Sequence, residues 1–280
     1  MNETSVPFDF SDVCYRVIDG HKLLARHYRP HGNKPAPTLV DVHGGGWVTG
    51  DRLSNAKIHE YLAARGIGVF ALDYRALPVP RFPESVDDIG YGVRWLKDNA
   101  QDLKVYAPWI GGFGTSSGGH MLMLNALKPY AEVKDDALGR SDGALLYVVT
   151  CWPVLDPWAR YQMAITRKRA NIVASHRAFW PDDESMRVGN PQYIVDRREQ
   201  EATPALLIVQ GTADENVEHE RADHFVSSYR KAGGTVTLEK FEGEKHSFLE
   251  GETFSAAGLR ALAIIENFVL RHSLHASGDN

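Results

Sequence analysis

Apolar residues along this chain fall into two alternating rhythms: short continuous runs, and segments in which they recur every three or four positions. The run at 67–73 is continuous, and the run at 38–43 carries Leu39, Val40 and Val42; such runs are typical of strands with helices on both faces. Helical spacing follows at 54–65 and 84–99. In the second of these, Val86, Ile89, Val93 and Leu96 share a face, and Glu84, Asp87 and Asp88 place carboxylates in the first turn, where the helix dipole favours them. The pattern predicts further strands at 109–113, 143–150, 205–210 and 235–241, and further helices at 116–127, 219–231 and 254–271. Near the start, 13–18 and 22–28 read as a hairpin turned by Asp19-Gly20. Alternation on this scale predicts an α/β fold with a mostly parallel, doubly wound sheet of about eight strands.

One segment interrupts the alternation. Residues 152–201 show no strand–helix unit but contain Trp152, Tyr161, Trp158, Phe179, Trp180 and Tyr193. Insertions after a strand of such a sheet lie at the end where ligands bind. The expectation is therefore one domain, 1–280, with a cap at 152–201. Trp152, Trp158 and Trp180, together with Trp47, would then line a substrate pocket, although these rings would serve equally to fill a helical core. Residues 273–280 read as a frayed tail.

Bulk properties narrow the function. The chain has 280 residues, 43% hydrophobic and 24% charged, with a net charge of −5 and its 31 Lys and Arg scattered, which argues against nucleic acid as a partner. No stretch approaches the ~18 apolar residues of a membrane span, and the first residues have neither a cationic start nor an apolar core, so the protein reads as cytoplasmic and not membrane-bound. Cys14 and Cys151 are too few and too far apart for a disulfide framework and are expected to be buried thiols. The sequence also leaves room for a homodimer.

Two glycine-rich runs carry the chemistry. Gly114-Thr115-Ser116-Ser117-Gly118 has the spacing of a nucleophile elbow, a tight strand-to-helix turn that lifts a serine hydroxyl clear of the sheet. His43-Gly44-Gly45-Gly46-Trp47 supplies backbone donors close to where an oxyanion would form, so Gly45, Gly46 and Ser117 are the expected oxyanion-hole amides. A serine hydroxyl needs a histidine to take its proton and a carboxylate to fix the histidine tautomer. Asp214, after the strand at 205–210, and His246, after the strand at 235–241, stand at successive strand ends in the order serine, acid, histidine. Of the competitors, His120 is expected to pack structurally, His43 to anchor its loop, His219 to lie too close to Asp214, and Asp156 to belong to a proline-flanked turn.

His43-Gly44-Gly45-Gly46-Trp47, Asp73-Tyr74-Arg75 with Phe82-Pro83 and Asp87-Asp88, Gly114 to His120, Gly211-Thr212-Ala213-Asp214 and Lys245-His246-Ser247-Phe248 make the chain resemble the α/β-hydrolase superfamily. Within it, the likeness is to the hormone-sensitive-lipase-like carboxylesterases and to their short relatives, the arylformamidases and ferulic-acid-esterase-like proteins. The resemblance implies a triad at Ser116, Asp214 and His246, no metal and no cofactor, and a small-molecule ester as substrate. The chain departs from many relatives at Thr115, where they carry a carboxylate or histidine, and at Ser117, where they carry alanine. It also lacks the N-terminal helical cap of the larger lipase-like members. The expected activity is hydrolysis of small to medium, including aromatic, carboxylic esters through an acyl-enzyme. Alternatives are hydrolysis of an arylformamide or other small amide and, from a different class, a non-catalytic ligand receptor on the same scaffold.

Overall fold

The computed structural model describes residues 5–32, 36–76, 82–129, 141–251 and 253–275. The Asp19-Gly20 hairpin joins β1 (Phe8–Ile18) to β2 (His21–Pro30), with both turn residues at positive φ (51° and 76°), as a two-residue turn of this twist requires. Both strands extend beyond their apolar stretches, since β1 is a sheet edge whose outward positions meet water. The remaining strands are β3 (Ala36–Val42), β4 (Gly68–Leu72), β5 (Val105–Thr115), β6 (Tyr147–Cys151), β7 (Ala205–Gly211) and β8 (Val236–Phe241). They form one eight-stranded sheet in the order β1-β2-β4-β3-β5-β6-β7-β8, parallel from β4 to β8, with β2 antiparallel to β4 and to β1.

Alternate strand residues feed two cores. Val40, Val42, Phe70, Leu72, Val148 and Ile208 face α2 (Glu84–Asp98), α3 (Ser116–Leu127) and α8 (His219–Lys231). Leu39, Val69, Ala71, Val149 and Val209 face α1 (Ala56–Ala63) and α9 (Ala256–His275). Full burial of each such side chain is worth ~1.5–3 kcal/mol, so the central strands are held from both sides. On α2, just past its first turn, Asp88 is fully buried because Arg16 (2.5 Å) and Arg75 (2.8 Å) neutralise it, which gives that carboxylate a structural role.

The structure differs from the sequence reading in several local respects. The strand expected from residue 143 begins only at Tyr147. Before it, the Gly143 carbonyl accepts from Asn125 Nδ2 and the Ala144 N–H donates to Asp142 Oδ1, so side chains satisfy backbone groups that a ladder would otherwise take. Cys14 is exposed on the edge strand β1 beside a register shift, and only Cys151 is buried, its thiol pushed well up by desolvation. The last helix runs to His275, which overrides the first part of the expected tail; the rest of that tail, 276–280, lies outside the described residues.

Between β6 and β7 the chain forms four short helices, α4 (Pro157–Thr166), α5 (Ala170–Phe179), α6 (Asp183–Val188) and α7 (Pro191–Asp196). Asp156, Asp182 and Asn190 start three of them by accepting the N–H of Ala159 (2.9 Å), Ser185 (2.7 Å) and Tyr193 (3.3 Å). Asp156, the rival acid in the sequence, is thus a helix cap.

Candidate active site

Ser116 stands where β5 gives way to α3, with φ of 50°, a left-handed conformation that a non-glycine residue holds only when its surroundings impose it. What imposes it is close packing: a Cβ on Gly118 would lie 2.0 Å from the Val42 carbonyl oxygen, so only glycine lets α3 approach β3 this tightly. The turn leaves the Ser116 side chain largely buried, at 7% exposure.

Asp214 follows β7 and His246 follows β8, and the two loops meet above the elbow. His246 Nδ1 lies 2.8 Å from Asp214 Oδ2, and His246 Nε2 lies 3.0 Å from Ser116 Oγ. A carboxylate only accepts, so Nδ1 carries the proton and Nε2 is left free to receive one from the serine. Burial raises the Asp214 pKa, but the bond from His246 and the N–H groups of Val217 and Asn216, each 2.8 Å from Oδ1, outweigh it and hold the carboxyl below its ordinary value. Asp214 therefore stays ionised across the neutral range.

Two further residues, absent from the sequence-based expectation, complete this arrangement. Gln210, fully buried at the end of β7, donates through Nε2 to Asp214 Oδ2 at 3.0 Å. Arg160 of α4 holds the Asp214 turn, donating from Nε to the Asn216 carbonyl at 3.1 Å and from its terminal nitrogen to Asn216 Oδ1. Burial pulls the Arg160 pKa down to about 10, with Asp214 acting in the opposite direction. Gln210 reaches Asp214 locally, four residues along the same turn, whereas Arg160 acts through a contact made by the tertiary fold.

The His43–Trp47 loop runs against the elbow, since a Cβ on Gly44 would come within 3.3 Å of Ser116 Cβ. Gly45 and Gly46 have φ of 112° and 61°, and Gly46 faces Ser175 of α5, so the helical insertion packs directly on the loop. His43 anchors the loop: Nδ1 donates to the Gly44 carbonyl at 2.7 Å, and the ring stacks on Tyr74 with centroids 4.3 Å apart. His120 also packs structurally, its Nδ1 accepting from Trp47 Nε1 at 3.0 Å and its Nε2 donating to the Gly189 carbonyl at 2.8 Å. His219 lies beside Lys240 and Glu220.

The expected tryptophan pocket is corrected by the structure. Trp47, Trp152 and Trp180 have 0%, 0% and 1% of their surface exposed and belong to the cores. Trp47 stacks on Phe179 and meets Trp180 edge-on, while Trp152 packs against Phe248 and the His246 ring. Trp158 is half-buried, with the Arg187 guanidinium 4.0 Å above its ring. Rings of this size contribute more by displacing water from a helical subdomain than by facing solvent, so burial won. A cavity of about 340 Å³ reaches His246 and mixes polar with apolar surface, with Arg169, Asn171, Ile172, Glu215, Asn216 and Lys245 in its walls. Among the described residues no His, Cys, Asp and Glu cluster could hold a metal ion, and no helix is long and apolar enough to cross a membrane.

Comparison with known proteins agrees with this geometry. The BD-FAE family model matches residues 27–229. Ethyl acetate hydrolase of Pseudomonas putida is 27% identical over 253 residues, covering 87% of this chain and 76% of the relative. Esterase LipC of Mycobacterium tuberculosis is 27% identical over 224 residues, covering 77% of this chain and 54% of the relative. Thermogutta terrifontis esterase 2, in a structure phosphorylated by paraoxon, has the same fold, with a TM-score of 0.76 at 22% identity over 94% of both chains.

Proposed function

The chain belongs to the BD-FAE family, and from that premise we propose that it is a serine carboxylesterase with Ser116, Asp214 and His246 as its triad. The observation that carries the reading is the placement of one imidazole 3.0 Å from the Ser116 hydroxyl and 2.8 Å from the Asp214 carboxylate. Ser116 Oγ attacks the ester carbonyl while its proton passes to His246 Nε2, and Asp214 stabilises the resulting imidazolium. The tetrahedral oxyanion is held by the N–H groups of Gly45, Gly46 and Ser117, the last at the start of α3, where the helix dipole adds to it. His246 then protonates the leaving alcohol, and water, activated by the same imidazole, releases the acid.

The esterase names of the relatives in Pseudomonas and Mycobacterium support this class. The size of the cavity beside His246 supports small esters, and the burial of Trp47, Trp152 and Trp180 removes the basis for a preference for aromatic groups. In this reading 1–280 is one domain in which the 152–201 insertion caps the site, and the two cysteines support a cytoplasmic setting.

Replacing Ser116 by Ala is expected to abolish hydrolysis of p-nitrophenyl acetate by the purified protein; unchanged turnover would overturn the assignment. Preference for N-formylkynurenine over nitrophenyl esters by orders of magnitude would move it to formamide hydrolysis. Failure to label with a fluorophosphonate probe would move it to a receptor.

A further inference from the structure

Two hydrogen bonds join the elbow to the glycine loop, and two more from Asn55 support them from behind. Thr115 Oγ1 accepts the Gly44 N–H at 3.0 Å, and Ser117 Oγ accepts the Trp47 N–H at 3.1 Å. Asn55 Nδ2 donates to Thr115 Oγ1 at 3.4 Å and to Asp41 Oδ1 at 3.0 Å, while the other Asp41 oxygen lies 3.0 Å from His59 Nε2. All five of these side chains are buried. The residues on either side of the nucleophile thus hold the residues on either side of Gly45-Gly46.

We infer that Thr115 and Ser117 are positioning residues that fix the oxyanion loop in register with Ser116. The inference rests on the serine-esterase reading above and adds to it the role of two side chains that are not in the triad. The Gly45 and Gly46 backbones lie in the left-handed region, a conformation reached at little cost and left as easily, so glycine alone does not hold donors still. A hole contributes to catalysis only if its N–H groups already point to the site of the developing charge. The two hydroxyls provide that constraint because they share a backbone with Ser116: any displacement of the elbow carries the loop with it. Asn55, itself bonded to Asp41, in turn holds Thr115 from behind, which leaves Oγ1 placed to accept from Gly44.

The test uses Thr115→Val, which keeps the shape and removes the acceptor, Thr115→Ser, which restores it, and Ser117→Ala, which removes one oxygen but keeps the backbone N–H. Hydrolysis of p-nitrophenyl acetate is measured per active site titrated with a fluorophosphonate, alongside inhibition by a trifluoromethyl ketone that forms a tetrahedral adduct. Thr115→Val and Ser117→Ala are each expected to lower kcat about 10-fold or more with KM within about twofold, and to weaken the ketone in proportion, as loss of a well-aimed donor does. Thr115→Ser should recover most of the loss. A purely structural role would reduce the number of titratable sites and leave kcat per site unchanged. If both variants keep kcat per site within about twofold while Ser116→Ala is inactive, the inference fails and the esterase reading stands. If Ser116→Ala is itself fully active, both fail. Should Thr115→Val not fold, Ser117→Ala decides alone.

Discussion

Replacing Asp214 by Asn tests how the acid works, because the structure dictates how the amide must sit. The N–H groups of Asn216 and Val217 both point at Oδ1 from 2.8 Å, so the amide oxygen has to occupy that place. The amide nitrogen then falls where Oδ2 was, 2.8 Å from His246 Nδ1 and 3.0 Å from Gln210 Nε2. Gln210 Nε2 also donates to the Gly211 and Val217 carbonyls at 3.2 and 3.4 Å, so a turned amide would set Oε1 against two acceptors, and His246 can respond only by giving up the Nδ1 proton. The imidazole then carries its proton on Nε2 and presents a donor to Ser116, which it can no longer deprotonate. Loss of the tautomer together with loss of the charge that stabilises the imidazolium should lower kcat by ~10³–10⁴, or ~4–5.5 kcal/mol of barrier. Hydrolysis of p-nitrophenyl acetate at about pH 7.5, per mole of folded protein, gives the number, with circular dichroism confirming an intact fold. Asp156→Asn should retain activity, because Asp156 caps α4 and does not touch the triad. A kcat for Asp214→Asn within about tenfold of the parent, or an equal loss in Asp156→Asn, would refute this account of the acid.

Two further outcomes follow from the packing. Burial lowers the pKa of His120 to about 4 and that of His176 to about 3, below their ordinary 6.5, so the unfolded chain binds protons that the folded chain refuses. Their contribution is whole above about pH 6.5 and is lost as pH falls toward those folded values, by about 2–3 kcal/mol per histidine at about pH 4.5; a urea midpoint equal at pH 4.5 and 7 would contradict it. Gly118→Ala forces a Cβ to within 2.0 Å of the Val42 carbonyl oxygen, and either β3 or α3 must move. We expect a loss of about 3 kcal/mol, or about 6–10 °C in Tm by calorimetry, together with lost turnover; an unchanged Tm would show that the approach is looser than described.

Several features were legible along the chain because they have local causes. The helices at 116–127 and 219–231 have the limits their spacing predicts, and the hairpin turns at Asp19-Gly20. The order of Ser116, Asp214 and His246 could be read because each sits at a strand end, which a short apolar run followed by polar residues marks. Trp47, Trp152 and Trp180 were not legible in the same way. Periodicity says that a ring seeks an apolar surface, not whether that surface is a substrate or another ring. Arg160 has no local signal for a related reason: it meets Asn216 only once α4 docks, 56 residues along the chain. Cys14 was misread because the pattern of β1 does not reveal that it forms an edge.

Ser116 leaves the middle of the sheet, whereas His246, 130 residues further on, follows the outermost parallel strand. While the chain is being made or is refolding, it carries an inert hydroxyl until that strand docks. Recovery of ester turnover is therefore a clock for sheet closure, and a partly assembled molecule has no means of attacking a stray acyl group.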